Sequence, residues 1–233
     1  MFFDWTYVVI VMPFVLLSLI ASASVNSTFK RYSQQFSRRG ITGAQAAERV
    51  LRSNGVTGVR IERVAGNLTD HYDPRTGVIR LSDAVYQGST SAAVGVAAHE
   101  CGHAIQHANG YFPLKIRNAI VPITNIGSRL SMPLILIGIF LSYTSASYIS
   151  IAYFGVACFS LCAIFQLITL PTEYNASRRA IKALEHSGRL TSGELNGSKK
   201  VLNAAALTYV AALAVSLMQL LSLLMRVRRN DRR

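Results

Sequence analysis

The stretch "SAAVGVAAHECGHAIQHANG", residues 91–110, sets three histidines at spacing four, and a glutamate follows the first of them. On a helix, His99 and His103 fall one turn apart on the same face. Two neutral imidazoles so placed can hold one zinc ion, which is the physical content of an H-E-x-x-H pattern. Glu100 is rotated about 100° from His99. That suits it to a zinc-bound water and not to the metal itself. A structural histidine pair at a helix–helix contact is the plainer alternative.

A catalytic zinc takes three protein ligands and keeps one position open. His107 lies toward the same face, about 12 Å from His99 along the axis. A straight helix cannot bring all three histidines to about 2.1 Å from one ion. Proteases that do so bend the helix with H-E-x-x-H-x-x-G-x-x-H. Here Gln106 and Asn109 occupy the glycine and last histidine positions, which excludes that class. His107 is left to support the site, contact substrate or lie on the surface. Glu173, in "LITLPTEYNASRRAIKALEHSG", is the best candidate for the third ligand. Pro171-Thr172 is expected to open a helix with Glu173 in its first turn, at the cytoplasmic edge of a span. A favourable charge at a helix N-terminus is the competing reading of Glu173. Glu185 and His186 are rivals, about 18 Å farther along that helix.

The chemistry follows from the parts. Zinc lowers the pKa of a bound water to about 7 and polarises a carbonyl. Glu100 is then the general base, taking the proton and passing it to the leaving amine. His71, Tyr72, Tyr174 and Arg178 are candidate oxyanion donors. His71 is more simply a turn residue in "DHYDP", where Asp70 and Asp73 organise the turn. A strand over Val78–Leu81 could pair with an extended substrate.

Other elements must position these residues. About half of the 233 residues are hydrophobic and 15% are charged. Runs at Tyr7–Ser24, Ile149–Leu170 and Val201–Met225 carry no charge. Each is long enough to span a bilayer, which takes roughly 18 residues or more. A fourth, Ala119–Tyr143, is interrupted by Arg129. It is either a span beginning near Leu130 or an interfacial helix leading into one. Ala21-Ser22-Ala23 resembles a signal-peptidase site. The leading "MFFDW" has Asp4 and no basic residue, so a retained anchor is expected instead.

The net charge is +13, but the cations cluster beside the spans. Anionic lipid headgroups suit them better than nucleic acid. Lys30, Arg31, Arg38, Arg39, Lys115, Arg117, Arg178, Arg179, Lys182, Lys199 and Lys200 share one side of a four-span chain, so that side is expected to be cytoplasmic. The basic tail "RVRRNDRR" dissents. Cys101, Cys158 and Cys162 give no disulfide framework.

Residues 26–118 form the one long loop. A helix capped by Thr42 and stopped by Gly55 comes first. A strand in "GVRIERVAG" and a second in "VIRLSDAVY" follow, separated by the turn-rich "NLTDHYDPRTG". The histidine helix starts among Ser89, Thr90 and Ser91 and stops at Asn109-Gly110. Its many small residues demand close packing.

Four segments, "AAHECGHAIQHA", "LTDHYDPRTGVIRLS", "TLPTEYNASRRA" and "AALTYVAAL", together resemble the bacterial neutral zinc metallopeptidases of the YugP-like membrane family. The resemblance reaches from the first span to about Met225. It implies a multi-span membrane protein with a zinc peptidase domain, His99 and His103 as ligands and Glu100 as catalytic base. It also supports Glu173 as third ligand, in the manner of zinc proteases whose glutamate comes from a later helix. One departure is Asn175, where that family usually has an aspartate. If that aspartate orients a histidine, an amide still hydrogen-bonds but raises ligand basicity less.

The expected fold is mainly α: a multi-span helical membrane protein with a small α+β, zincin-like (gluzincin-type) domain between the first two spans. The expected division is an anchor (1–25), the peptidase domain (26–118), two spans (119–170), a cytoplasmic helix with the third ligand (171–200), a span (201–225) and a basic tail (226–233). The expected activity is Zn2+-dependent endopeptidase cleavage of membrane or misfolded proteins at the cytoplasmic face of the inner membrane. Its partners are a peptide or protein substrate and the lipid bilayer. A non-enzymatic zinc-binding scaffold is the alternative. Intramembrane proteolysis fits poorly, because the segment around His99 lacks an apolar run and no later span carries Asp-Gly.

Overall fold

A computed structural model describes residues 5–232, the side chain of Thr6 excepted. The order is α1 (Trp5–Tyr32), α2 (Gly43–Ser53), β1 (Arg60–Val64), β2 (His71–Asp73), β3 (Val78–Ser82), α3 (Asp83–Tyr86), α4 (Ser91–Ala108), α5 (Phe112–Ser142), a short 3-10 turn (Ala146–Tyr148), α6 (Ile149–His186) and α7 (Ser192–Asp231). The chain is mainly helical, with a small three-stranded sheet. Among the described residues, four helices are long and apolar enough to cross a membrane: α1, α5, α6 and α7. The histidine helix α4 is not one of them. Large apolar side chains such as Ile20, Leu136, Phe154 and Leu167 lie exposed on those helices. Water would penalise such a surface and lipid would not.

The long helices run farther than their apolar runs. α5 is continuous from Phe112 through Arg129, so no helix begins near Leu130. α6 is continuous through Pro171, which corrects the expected helix start there. Pro171 lacks the N–H that would bond the Leu167 carbonyl. Proline is nonetheless tolerated inside membrane helices, where neighbouring groups compensate. Glu173 therefore sits mid-helix, and the reading of it as an N-terminal charge falls. α7 already begins at Ser192 and carries the basic segment to Asp231.

Two compact units result. Among the described residues, one comprises 5–20, 116–170 and 209–232. Its core holds Ile135, Ile149, Ala152, Val156, Leu223 and Val227. Tyr153 donates to Asp231 at 3.1 Å and Asn230 to Ser142 at 2.8 Å, tying the end of α7 to α5 and α6.

The other comprises residues 21–115 and 171–208, so it draws on the long loop and on parts of α6 and α7. α2 starts with a capping box in which Thr42 and Gln45 exchange side-chain bonds. It buries Ala46, Ala47, Val50 and Leu51 against α4. Thr90 caps α4 by accepting from the Ala93 N–H at 3.2 Å. Gly110, at φ +61, turns the chain after it. The sheet order is β1-β3-β2, with β1 parallel and β2 antiparallel to β3. β2 falls in a segment read as turn alone. β3 is the central strand, paired on both edges, so it has no free edge for a substrate and that expectation is corrected. Asp70 braces the sheet by accepting from the Ser82 N–H at 2.7 Å and from its hydroxyl at 3.1 Å.

The small residues of α4 permit close approach to α6 and α7. A Cβ on Gly102 would overlap the Ala176 carbonyl of α6, and one on Gly95 would press on Ser198 of α7. The Ser198 hydroxyl also donates to the Ser91 carbonyl at 2.7 Å. Because the Gly102 contact is with backbone, no side chain can yield. Gly102→Ala is expected to destabilise the protein by about 1–3 kcal/mol. The measurement is thermal unfolding in detergent, where Tm should fall by several degrees. A Tm within about a degree of wild type would contradict this contact.

Candidate metal centre

The i, i+4 spacing on α4 stacks His99 over His103, with ring centroids 4.8 Å apart and planes at 85°. Glu173 of α6 meets both. Its Oε2 lies 3.1 Å from His99 Nε2 and 3.4 Å from His103 Nε2. One donor atom from each of the three falls within 4.8 Å of the others. Ligand atoms about 2.1 Å from a tetrahedral ion are about 3.4 Å apart. The two Glu173 separations match that spacing, and the histidine nitrogens lie within 4.8 Å of each other. His103 and Glu173 are buried and His99 half-buried.

Each imidazole is held from behind. His99 Nδ1 contacts the Ser177 hydroxyl at 3.1 Å. His103 Nδ1 faces Gln106 Oε1 at 3.0 Å. The Gln106 amide cannot turn round, because its Nε2 donates to the Thr172 carbonyl at 2.8 Å and to Asn175 Oδ1 at 3.0 Å. Asn175 Oδ1 is an acceptor, since it also takes the Arg179 Nε–H at 2.7 Å. Gln106 Oε1 must therefore accept, so His103 Nδ1 carries the proton. The Nε2 lone pair is left for a metal. Asn175 thus meets His103 through Gln106. The role of Gln106 escaped sequence reading. Its only local signal is its place one turn after His103.

Glu100 is buried beside this group. Burial pushes its carboxyl up to about 7; His99 opposes the rise, Glu173 and Asp70 add to it, and the Tyr72 backbone N–H opposes it. The protonated and charged forms are thus close in free energy, as a proton carrier near neutral pH requires. The neighbouring Cys101 is buried against α2 and donates to the Ala47 carbonyl, and burial raises its thiol well above the usual range.

The remaining candidates are not among the three clustered donors. His107 is exposed, with Nδ1 2.9 Å from the Tyr72 hydroxyl. His71 is exposed and donates from Nδ1 to the Thr69 carbonyl at 2.8 Å. Asp73 accepts from the Arg75 N–H and the Thr76 hydroxyl, as a turn residue does. Tyr174 and Arg178 are exposed. Glu185 pairs with Lys199 at 3.9 Å, and His186 donates to the Lys182 carbonyl at 2.8 Å.

The family model described as "Putative neutral zinc metallopeptidase" matches residues 7–228. The chain belongs to this family. It is also 44% identical, over 209 residues, to a Bacillus subtilis (strain 168) protein named "Putative membrane protease YugP", covering 90% of this chain and 91% of that one. No solved structure matches the chain. A zinc-metallopeptidase family is one in which two imidazoles and a carboxylate on adjacent helices have an evident use.

Elemental mass spectrometry of detergent-purified protein is expected to find about one zinc per chain in wild type and little in Glu173→Ala. Gln106→Leu should keep the ligands but bind zinc about 10–100-fold more weakly. Undiminished affinity in that variant would remove Gln106 from the support of His103.

Proposed function

We propose that this chain is a membrane-anchored zinc endopeptidase that cleaves membrane or misfolded proteins at the cytoplasmic surface. The carrying observation is the convergence of His99 Nε2, His103 Nε2 and Glu173 Oε2 beside the buried carboxyl of Glu100. When bound, zinc supplies an acidified water and polarises the scissile carbonyl. His99, His103 and Glu173 hold the ion, and Gln106 and Ser177 hold the imidazole rings. Glu100 takes a proton at its carboxylate and returns it to the leaving amine. The Tyr72 backbone N–H steadies that carboxylate in its charged form.

The membrane placement has its own support. Glu173 lies on the same unbroken helix as the apolar run Ile149–Leu170, so the site is tethered covalently to a candidate span. Flanking lysines and arginines favour the cytoplasmic side for the unit that holds the site. α4 is outside the candidate spans, which favours hydrolysis at the surface over hydrolysis within the bilayer.

Glu100→Gln is expected to lower cleavage of casein by the zinc-loaded protein at least about 100-fold. Zinc content should stay at the wild-type level. Unchanged cleavage in that variant would refute Glu100 as the base.

A further inference from the structure

Arg178, Lys182 and His186 stand at spacing four on α6 and so share one helical face. Together with Arg179 they line a groove of about 520 Å³. The opposite wall includes Ser53 and Asn54, at the end of α2. The lining holds no carboxylate. Neither Arg178 nor Lys182 makes an ion pair among the described residues. Glu185, the acid nearest Lys182 in sequence, is drawn to Lys199. Arg179 bonds Asn175 through Nε and lies over the Tyr111 ring at 5.7 Å, which leaves its terminal nitrogens for another acceptor.

Like charges at this spacing repel. The helix macrodipole favours cations only within the last turn, which reaches His186 and not Arg178 or Arg179. The groove also lies off the reactive face. Its α4 residue, Ile105, is rotated well away from His99 and His103; the two residues from His103 to Ile105 turn the helix by about 200°. A substrate bond presented to Glu100 is therefore not what it receives. Guanidinium and ammonium groups converging on a polar recess suit an oxyanion with several acceptor oxygens.

We infer that this groove binds a phosphate group, borne by an anionic lipid headgroup or present as free phosphate. Binding is independent of zinc, so the test stands whether or not the peptidase reading does.

The test is thermal unfolding of the full-length protein in a neutral detergent at fixed ionic strength. The probes are inorganic phosphate, dihexanoyl phosphatidylglycerol and, as the zwitterionic control, dihexanoyl phosphatidylcholine. At about five times the dissociation constant, Tm should rise by roughly 2–4 °C. The rise should vanish in Arg178→Gln/Lys182→Gln, which spares Arg179 and its bond to Asn175. Ser53→Glu removes no cation and sets a carboxylate on the opposite wall; it should abolish the rise as well, which covers the case of a misfolded double variant. A rise with both phosphate and the glycerol lipid marks the phosphate group alone as sufficient. A rise with the glycerol lipid only marks the headgroup as the source. No rise with either probe, or an equal rise in wild type and variants, overturns the inference.

Discussion

The structure of the site depends on one close contact, the backbone of α4 at Gly102 lying against that of α6 at Ala176. Ala176 is three residues after Glu173, and Gly102 directly precedes His103. At this separation a glutamate side chain spans the gap, and its Oε2 comes within 3.4 Å of two imidazole nitrogens. A bulkier residue at either position would push the carboxylate out of reach. The other small residues of α4 serve the same end, letting α2, α6 and α7 close around it.

Such closeness has an energetic cost. Glu173 is almost wholly buried, and an isolated buried carboxylate is strongly unfavourable. The two histidines meet that cost in part, and a dication would meet it more fully. The polar chain from His103 through Gln106 to Thr172, Asn175 and Arg179 crosses from α4 to α6. It fixes the proton on the far nitrogen of His103. The same contacts therefore join the helices and prepare a ligand.

The pair on α4 was legible in the sequence because it is local: a four-residue spacing on a helix with a cap at Thr90 and a glycine stop at Gly110. The four long helices were legible because apolar length is a coarse and robust signal. Glu173 was picked out by its position after a span and by family resemblance, but its setting was misread. Proline often opens a helix, whereas Pro171 sits inside a long one whose neighbours tolerate it. β2 was missed because three residues in a turn-rich segment carry no period. The sequence leaves β3 available to a substrate because its partners are set by register, which one strand cannot reveal. In the sequence Gln106 marks only a departure from a bent-helix motif. Its role depends on Thr172 and Asn175, which are far away in sequence.

The central claim is that one zinc ion meets His99, His103 and Glu173. Zinc K-edge X-ray absorption on the full-length, zinc-loaded protein tests it most directly. Two imidazole nitrogens and a carboxylate oxygen at about 2.0–2.1 Å, with no sulfur, are the expected shell. A sulfur scatterer at about 2.3 Å would place the metal on a cysteine and contradict the claim; so would a shell with a single imidazole.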